Sequence, residues 1–442
     1  MTYEEALTYI HSVIWKGKRV GLSRITELLE RMGNPEKKLR FVHVAGTNGK
    51  GSTAKMIASV MEAAGYRTGL FISPFIHCFN ERMQIDGTPI SDEELIALTE
   101  DIRETASGME DKPTEFELIC ALGMAYFHRN HCDIVVLEVG LGGEMDSTNI
   151  IDTPEAAVIC TLGFDHMKEL GSTMEEIARA KAGIIKKNSR VVFYGQNDIA
   201  LPVIEKKVRE TGSTLVLPDY GSLRTDKRDL TGQFFSYGEY ENLHIRLLGT
   251  YQLYNAAVVI ETVKILRGRG FAVSDEALRE GLSLARWPGR FELVREKPPV
   301  IVDGSHNPQG VRATVRSLKE YFPKGGIVFL VGVLADKDAA GMMRELASGG
   351  EKADGQERAD SQEKANGQEL AAAYITVTPP SMRAMDAVSL AELLRSVTDR
   401  PVTAEVGLEE GCAMALSAAG SEGAVCAMGS LYMVDELERL LG

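Results

Sequence analysis

The stretch VHVAGTNGKGSTAK, Val42 to Lys55, decides how the rest of the chain is read. An apolar run from Leu39 to Ala45 has the character of a strand, and Thr53 to Ala64 that of a helix. Between them lie Gly46, Gly49 and Gly51, which let backbone N–H groups close around an anion at a helix N-terminus. Lys50 can reach the β and γ phosphates of a nucleotide, and Ser52 or Thr53 can add a hydroxyl to a magnesium shell. The common phosphate-loop pattern has Ser or Thr directly after the lysine. Here Gly51 intervenes, so the nucleotide site is expected to be of another type.

Outward from this loop, short apolar runs alternate with helical patterns. Strands are expected at Arg67 to Ile72, Asp133 to Gly140, Ala156 to Gly163 and Arg190 to Gly195. Ser91 with Glu94, and Thr114 with Glu117, have the spacing of capping boxes that open helices. The pattern predicts an α/β fold with a mostly parallel sheet covered by helices. Residues 215–248 are polar and irregular, and a small β excursion is expected there before a helix over TYQLYNAAVVIETVKIL.

A second α/β run starts near residue 297, with strands expected in PPVIVDGSHNP, GGIVFLVGVLADKD, AAYITVTPP and GAVCAMGSLY. Pro288, Gly289, Pro298 and Pro299 break regular structure between the two runs. The reading is an N-terminal phosphate-loop ATPase domain, 1–293, and a smaller Rossmann-like domain, 294–442. Within 347–370 the hexapeptides EKADGQ, ERADSQ and EKANGQ, Glu351 to Gln368, form a low-complexity surface insertion.

At 442 residues the chain exceeds one ordinary core. A formal charge of −14 argues against a nucleic-acid binder, although ATP needs only a local positive site. Six cysteines without a CxxC pair suit reduced, buried thiols. No signal peptide is evident, and no run reaches the ~18 apolar residues of a membrane span. A cytoplasmic protein that binds neither membrane nor nucleic acid is expected.

Three further segments carry chemistry. In VVLEVGLGGEMDSTN, Val135 to Asn149, the acid Glu138 ends an apolar strand, where phosphate-loop enzymes place a magnesium-binding carboxylate. Asp165 and His166 follow the next strand, at the edge where open α/β sheets bind ligands. Lys181 falls on the apolar side of a helix capped by Ser172 or Thr173, either as a reactive amine of depressed pKa or as an ordinary snorkelling lysine. If two domains close on a nucleotide, Arg290 could meet phosphate and Asp303 could accept from ribose hydroxyls, with His306 beside them.

GTNGKGS, LEVGLGG, DHMKELG, KAGIIK, WPGR and DGSHNP occur in the order seen in the Mur ligase superfamily. The set most closely resembles the folylpolyglutamate synthase family, often bifunctional with dihydrofolate synthase in bacteria. SPFIHCFNERMQIDG and the ending GSLYMVDEL are similar to that branch, and the resemblance covers nearly the whole chain. It implies a ligase in which ATP phosphorylates a carboxylate of a pterin-linked substrate and the amine of L-glutamate attacks the acyl phosphate. By matched motif, Gly49, Lys50, Gly51 and Ser52 would bind the ATP phosphates. Ser73, Glu138 and His166 match magnesium positions, Ser52 offers a further hydroxyl, and Lys181 matches a lysine that is carbamylated in the family and then serves a second magnesium. Lys50, His166 and Lys181 would thus be catalytic; Asn255, Arg290, Asp303 and His306 would contribute to nucleotide binding, His306 with a role in catalysis or domain contact as the alternative.

The chain departs from the family pattern at Glu144 and Met145, where Arg and Leu are common, and at Phe75, where His is common. These changes leave the preference between dihydropteroate and reduced folates open. A monomer acting on small molecules is expected. The alternatives are a cell-wall Mur ligase, which the SPF…FNERMQIDG region disfavours, and a nucleotide-binding protein without ligase activity. A GTPase would need an NKxD-type motif, and ADKD at Ala335 to Asp338 lacks the asparagine.

Overall fold

Strand β1, Phe41–Ala45, is buried along its whole length, as a parallel strand covered on both faces must be. Around it, in a computed structural model that describes residues 1–12, 21–350 and 370–442, an eight-stranded sheet assembles. Its other strands are β2, Thr68–Phe71, β3, Met83–Ile85, β4, Thr88–Pro89, and β5, Ile134–Glu138. They continue with β6, Ala156–Ile159, β7, Arg190–Phe193, and β8, Thr214–Val216. The order is β4-β3-β2-β5-β1-β6-β7-β8. The five pairings from β2 to β8 are parallel, and β3 and β4 join as an antiparallel edge. This is the mostly parallel sheet that the alternating pattern predicts. The hexapeptide repeat at 351–368 lies outside the described residues.

The helix after the glycine loop runs Lys50–Ala63, three residues earlier at its start than the sequence pattern suggests. Gly49 stands at its N-cap in the left-handed region, φ +84°, so the helix can begin directly on Lys50. Thr114 and Glu117 form the expected capping box of the helix Glu115–Arg129. Ser91 caps the helix Asp92–Ser107 by accepting from the Glu94 N–H.

A three-stranded sheet of β9, Arg224–Asp229, β10, Gly232–Tyr237, and β11, Tyr240–Ile245, forms the β excursion, and the helix Tyr251–Gly268 follows. The second α/β run builds a six-stranded sheet in the order β12-β13-β17-β14-β15-β16. These strands are β12, Glu292–Glu296, β13, Pro299–Asp303, β14, Ile327–Val331, β15, Ala371–Thr376, β16, Val402–Ala404, and β17, Ala424–Met428. The four expected strands are β13, β14, β15 and β17. Two half-exposed edge strands, β12 and β16, extend them, β12 antiparallel to β13.

The described chain separates into two compact units. One is Met1–Arg224 with Phe235–Ile245 and Leu253–Arg286; the other is Thr225–Phe234 with Arg246–Gln252 and Trp287–Gly442. No helix among the described residues is long and apolar enough to cross a membrane.

Candidate active site

The glycine loop rises from β1 at the carboxyl edge of the larger sheet, the edge at which open α/β sheets hold ligands. It is tied down toward β6. Thr47 Oγ1 donates to the Gly163 carbonyl (3.0 Å) and accepts from the Gly163 N–H (3.1 Å). Thr161 Oγ1 donates to the Asn48 carbonyl (3.1 Å). Gly49 is required for two reasons: its φ is positive, and an added Cβ would lie 2.9 Å from Asn255 Oδ1. Asn255 thus stands directly beneath the loop, 2% exposed, on the helix Tyr251–Gly268. Lys50 Nζ donates to the Thr47 carbonyl at 3.3 Å, folded back over its own loop. Ser52 and Thr53 are buried in the first helical turn, where Thr53 Oγ1 accepts from the Cys160 thiol (3.4 Å).

Lys181 is brought to the same place from the other direction. The helix Met174–Ala182 is capped by Thr173, whose capping box with Glu176 is complete. Its buried side consists of Met174, Ile177, Ala178, Lys181 and Ala182, so helical periodicity carries the lysine into the core. The amine donates to the Gly46 carbonyl at 2.9 Å. Burial, then the positive charge of Lys50, lowers its pKa to about 7 from the ordinary 10.5. A lysine held near neutrality beside a phosphate loop is not a snorkelling surface lysine. Cys160 shares this environment, but burial pushes its thiol up to about 11, so it packs rather than reacts.

On the opposite side of β1, toward β5 and β2, lies an acid–hydroxyl pair. Glu138, 4% exposed, ends β5 and accepts from the backbone N–H of Ser73 (3.2 Å), just past β2. Ser73 Oγ accepts from Arg82 Nη1 (3.2 Å), and the Arg82 guanidinium lies over the rings of Phe75 and Phe79. Ser52, Ser73 and Glu138 offer hard oxygen donors, the chemistry that suits magnesium, which takes few protein ligands and keeps phosphates and waters for the rest. His166 sits on the loop after β6 at φ +50°, half-exposed, with its backbone N–H bonded to Asp165 Oδ1 (2.9 Å). Among the described residues no group of three or more His, Cys, Asp and Glu side chains is placed to hold a metal by itself.

The chain matches two family models: the Mur ligase middle domain over residues 44–263, and the Mur ligase glutamate ligase domain over 289–431. It is 41% identical over 355 residues to a Bacillus subtilis dihydrofolate synthase/folylpolyglutamate synthase, covering 78% of this chain and 82% of that one. It is 40% identical over 359 residues to a Lacticaseibacillus casei folylpolyglutamate synthase, covering 79% and 83%. The chain belongs to this family of Mur ligases. It is an ATP-dependent ligase. The structure of Mycobacterium tuberculosis folylpolyglutamate synthase complexed with ADP and AMPPCP superimposes with a TM-score of 0.86, at 27% identity, over 100% of this chain and 99% of that one.

In the family's glutamate ligase domain, Arg290, Asp303 and His306 come together within the second unit. The Gly304 N–H donates to the Gly289 carbonyl (2.8 Å), and the Phe291 N–H donates to Asp303 Oδ2 (2.8 Å), so the turn bearing Arg290 is fixed on the loop after β13. Asp303 Oδ2 also accepts from Tyr251 Oη (3.2 Å), and Oδ1 accepts from the Ser305 N–H (2.8 Å) and Thr314 Oγ1 (3.0 Å). At 2% exposure, with both oxygens engaged, Asp303 organises the loop that carries His306. His306 Nδ1 lies 2.9 Å from the Gly304 carbonyl.

Sequence reasoning passed over Tyr251, which holds Asp303, and His43 with Thr148 and Asp146. His43 stood inside the opening stretch, and its one signal was a polar residue in an otherwise apolar buried strand.

Proposed function

We propose that the enzyme joins L-glutamate to a folate acceptor and, by the same chemistry, to dihydropteroate. An oxygen of the acceptor carboxylate attacks the γ-phosphorus of ATP, and ADP leaves. The glutamate amine then attacks the acyl carbon, loses a proton, and inorganic phosphate departs as the amide forms. The observation that carries this reading is the placement of Lys50 and the near-neutral Lys181 at the loop after β1, beside Glu138 and Ser73 at the ends of the neighbouring strands β5 and β2.

Each residue has a physical task. The loop N–H groups and Lys50 offset the negative charge that builds when a carboxylate approaches a triphosphate. Gly49 and Gly51 let the backbone come close to the phosphates, and Asn255 props the loop from below. Ser52, Ser73 and Glu138 would hold one magnesium ion, and His166 with a carbamate on Lys181 a second. When bound, magnesium supplies Lewis-acid stabilisation of the transferring phosphoryl group. A carbamate on Lys181 needs the neutral amine, which its burial favours. Arg290, Asp303 and His306 are the nucleotide-binding candidates of the glutamate ligase domain, with Asp303 fixing the turn that bears Arg290. Positioning does most of the catalysis, because phosphoryl transfer requires little covalent help from side chains.

The same reading takes the enzyme to be a cytoplasmic monomer whose partners are ATP, glutamate and a pterin-linked acid. All six cysteines are free thiols, as a reducing compartment favours. The test is ATP- and glutamate-dependent phosphate release with dihydropteroate, tetrahydrofolate or a UDP-muramoyl acid supplied in parallel, with sedimentation for the oligomeric state. Turnover of both pterin compounds supports the bifunctional reading, and of one alone restricts it. Release only with the UDP-muramoyl acid would overturn it.

A further inference from the structure

One buried polar chain near the site takes no part in the chemistry above. His43, in the middle of β1, is fully buried, and its Nε2 lies 2.9 Å from Thr148 Oγ1. The Thr148 hydroxyl in turn donates to Asp146 Oδ1, which also accepts from the Thr148 N–H (3.0 Å). Because that hydroxyl spends its one proton on Asp146, it must accept from His43, which fixes the imidazole as the Nε2–H tautomer. Nδ1 is buried and makes no hydrogen bond, so the ring has a single polar anchor, Thr148.

At the far end of the chain, Asp146 Oδ2 accepts from the Leu141 N–H (2.7 Å), closing the loop that follows Glu138. The same loop is pinned to the helix of Lys181, since the Glu144 N–H donates to the Ala180 carbonyl (2.9 Å) and Asn149 Nδ2 to the Gly183 carbonyl (3.2 Å). Its backbone is therefore held at every turn, yet Leu141 and Met145 point outward, exposed at 38% and 57%. The phosphate loop is anchored separately, through Thr47, Asn48, Thr161 and Gly163 toward β6. Loop 140–149 thus runs directly on from Glu138 and lies against the helix of Lys181, bordering both residues assigned to the chemistry.

We propose that His43 is a positioning residue for the acceptor: through Thr148 and Asp146 it holds loop 140–149 in the shape that receives the pterin-linked acid, without acting on ATP. This rests on the ligase reading above. Loss of the anchor loosens a loop next to the reacting carboxylate, and a misplacement of about 1 Å there costs on the order of a hundredfold in rate.

The experiment compares wild type with His43→Leu, His43→Gln, Thr148→Val and Thr148→Ser in steady-state ligation with the pterin substrate that the wild type turns over. ADP binding by calorimetry reports the phosphate loop, and circular dichroism reports folding. His43→Leu and Thr148→Val are expected to lower kcat/KM for the acceptor by about ten- to a hundredfold, with ADP affinity within about twofold of wild type. Gln, whose Nε2 can donate in place of the imidazole, and Ser are expected to restore most of it. The Leu and Val changes combined should cost little more than either alone, as members of one chain do. Wild-type acceptor kcat/KM in folded His43→Leu overturns the proposal, and so does an equal loss of ADP affinity. Should His43→Leu fail to fold, Thr148→Val decides by the same two readings. A wild type inactive with every pterin substrate condemns the ligase reading instead, a distinguishable failure.

Discussion

The amine of Lys181 sits 2.9 Å from the carbonyl oxygen of Gly46, the first glycine of the phosphate loop. Burial, with the nearby Lys50, outweighs the pull of Asp165 and Asp146 and lowers its pKa to about 7. The sign follows from this: the neutral amine is the minor form below pH 7, about a tenth one unit lower, and the major form above. Only the neutral amine can add to CO2. Enzyme stripped of CO2 is therefore expected to regain activity with bicarbonate at pH 8 and to respond weakly at pH 6. A carbamate signal in 13C NMR should follow the same profile, and Lys181→Ala should lose both. Activity indifferent to bicarbonate across this range would remove the carbamate from the mechanism.

Gly49→Ala should damage nucleotide binding more than the fold. The substitution meets two obstacles, a φ of +84° and a Cβ within 2.9 Å of Asn255 Oδ1. The first alone costs about 1–2 kcal/mol for a non-glycine residue. Asn255 cannot retreat easily, being buried on the helix Tyr251–Gly268. ADP affinity is expected to fall by at least about tenfold while the thermal midpoint moves by a few degrees. Asn255→Ala in the same background should relieve the contact but not the backbone strain, recovering part of the loss. Lys50→Ala differs: it should abolish phosphate release with an unchanged thermal midpoint. ADP titration and a melting curve on the three variants separate these cases.

How much of this was legible beforehand varied with the range of the interaction. Glycine spacing and strand-to-helix order are local, and so was the position of Lys181 on an apolar helix face. The early start of the helix at Lys50 escaped because a left-handed Gly49 can cap a helix without any capping side chain. Strands β12 and β16 escaped because they are half-exposed edges with no apolar run. The site's polar wiring was hidden for a different reason. The bonds that Tyr251, Phe291 and Thr314 make to Asp303 join residues 11 to 52 positions away and exist only once the fold brings them there. His43 looked like an ordinary strand residue until Thr148, 105 positions later, was placed against it.

Removal of divalent metal tests the acid–hydroxyl pair. Chelation should stop phosphate release fully and reversibly, with magnesium restoring it. Glu138→Gln keeps an acceptor for the Ser73 N–H, so the strand end should hold its shape. Losing the charge should nevertheless raise the magnesium concentration for half-maximal rate by roughly tenfold or more, since magnesium is held by one or two carboxylates at most. Ser73→Ala should produce a smaller shift in the same direction. A Glu138→Gln enzyme with wild-type magnesium dependence would exclude this carboxylate as a ligand.

The stability of the protein in mild acid should carry the signature of His43. Burial, then the charge of Lys186, pushes the imidazole pKa down to about 3 from an ordinary 6.5. Asp146, at the other end of the chain, is bonded to the Thr148 hydroxyl and not to the ring itself. The unfolded chain therefore binds a proton between these two values that the folded chain refuses. Stability from this group is complete above pH 6.5 and is lost as the pH falls below it. At pH 5, one and a half units into that window, the loss amounts to about 2 kcal/mol. Urea unfolding at pH 7.5 and pH 5 should show wild type losing that much more than His43→Gln, whose amide does not titrate in this range. Equal losses in the two proteins would mean that the buried imidazole takes up its proton in the folded state.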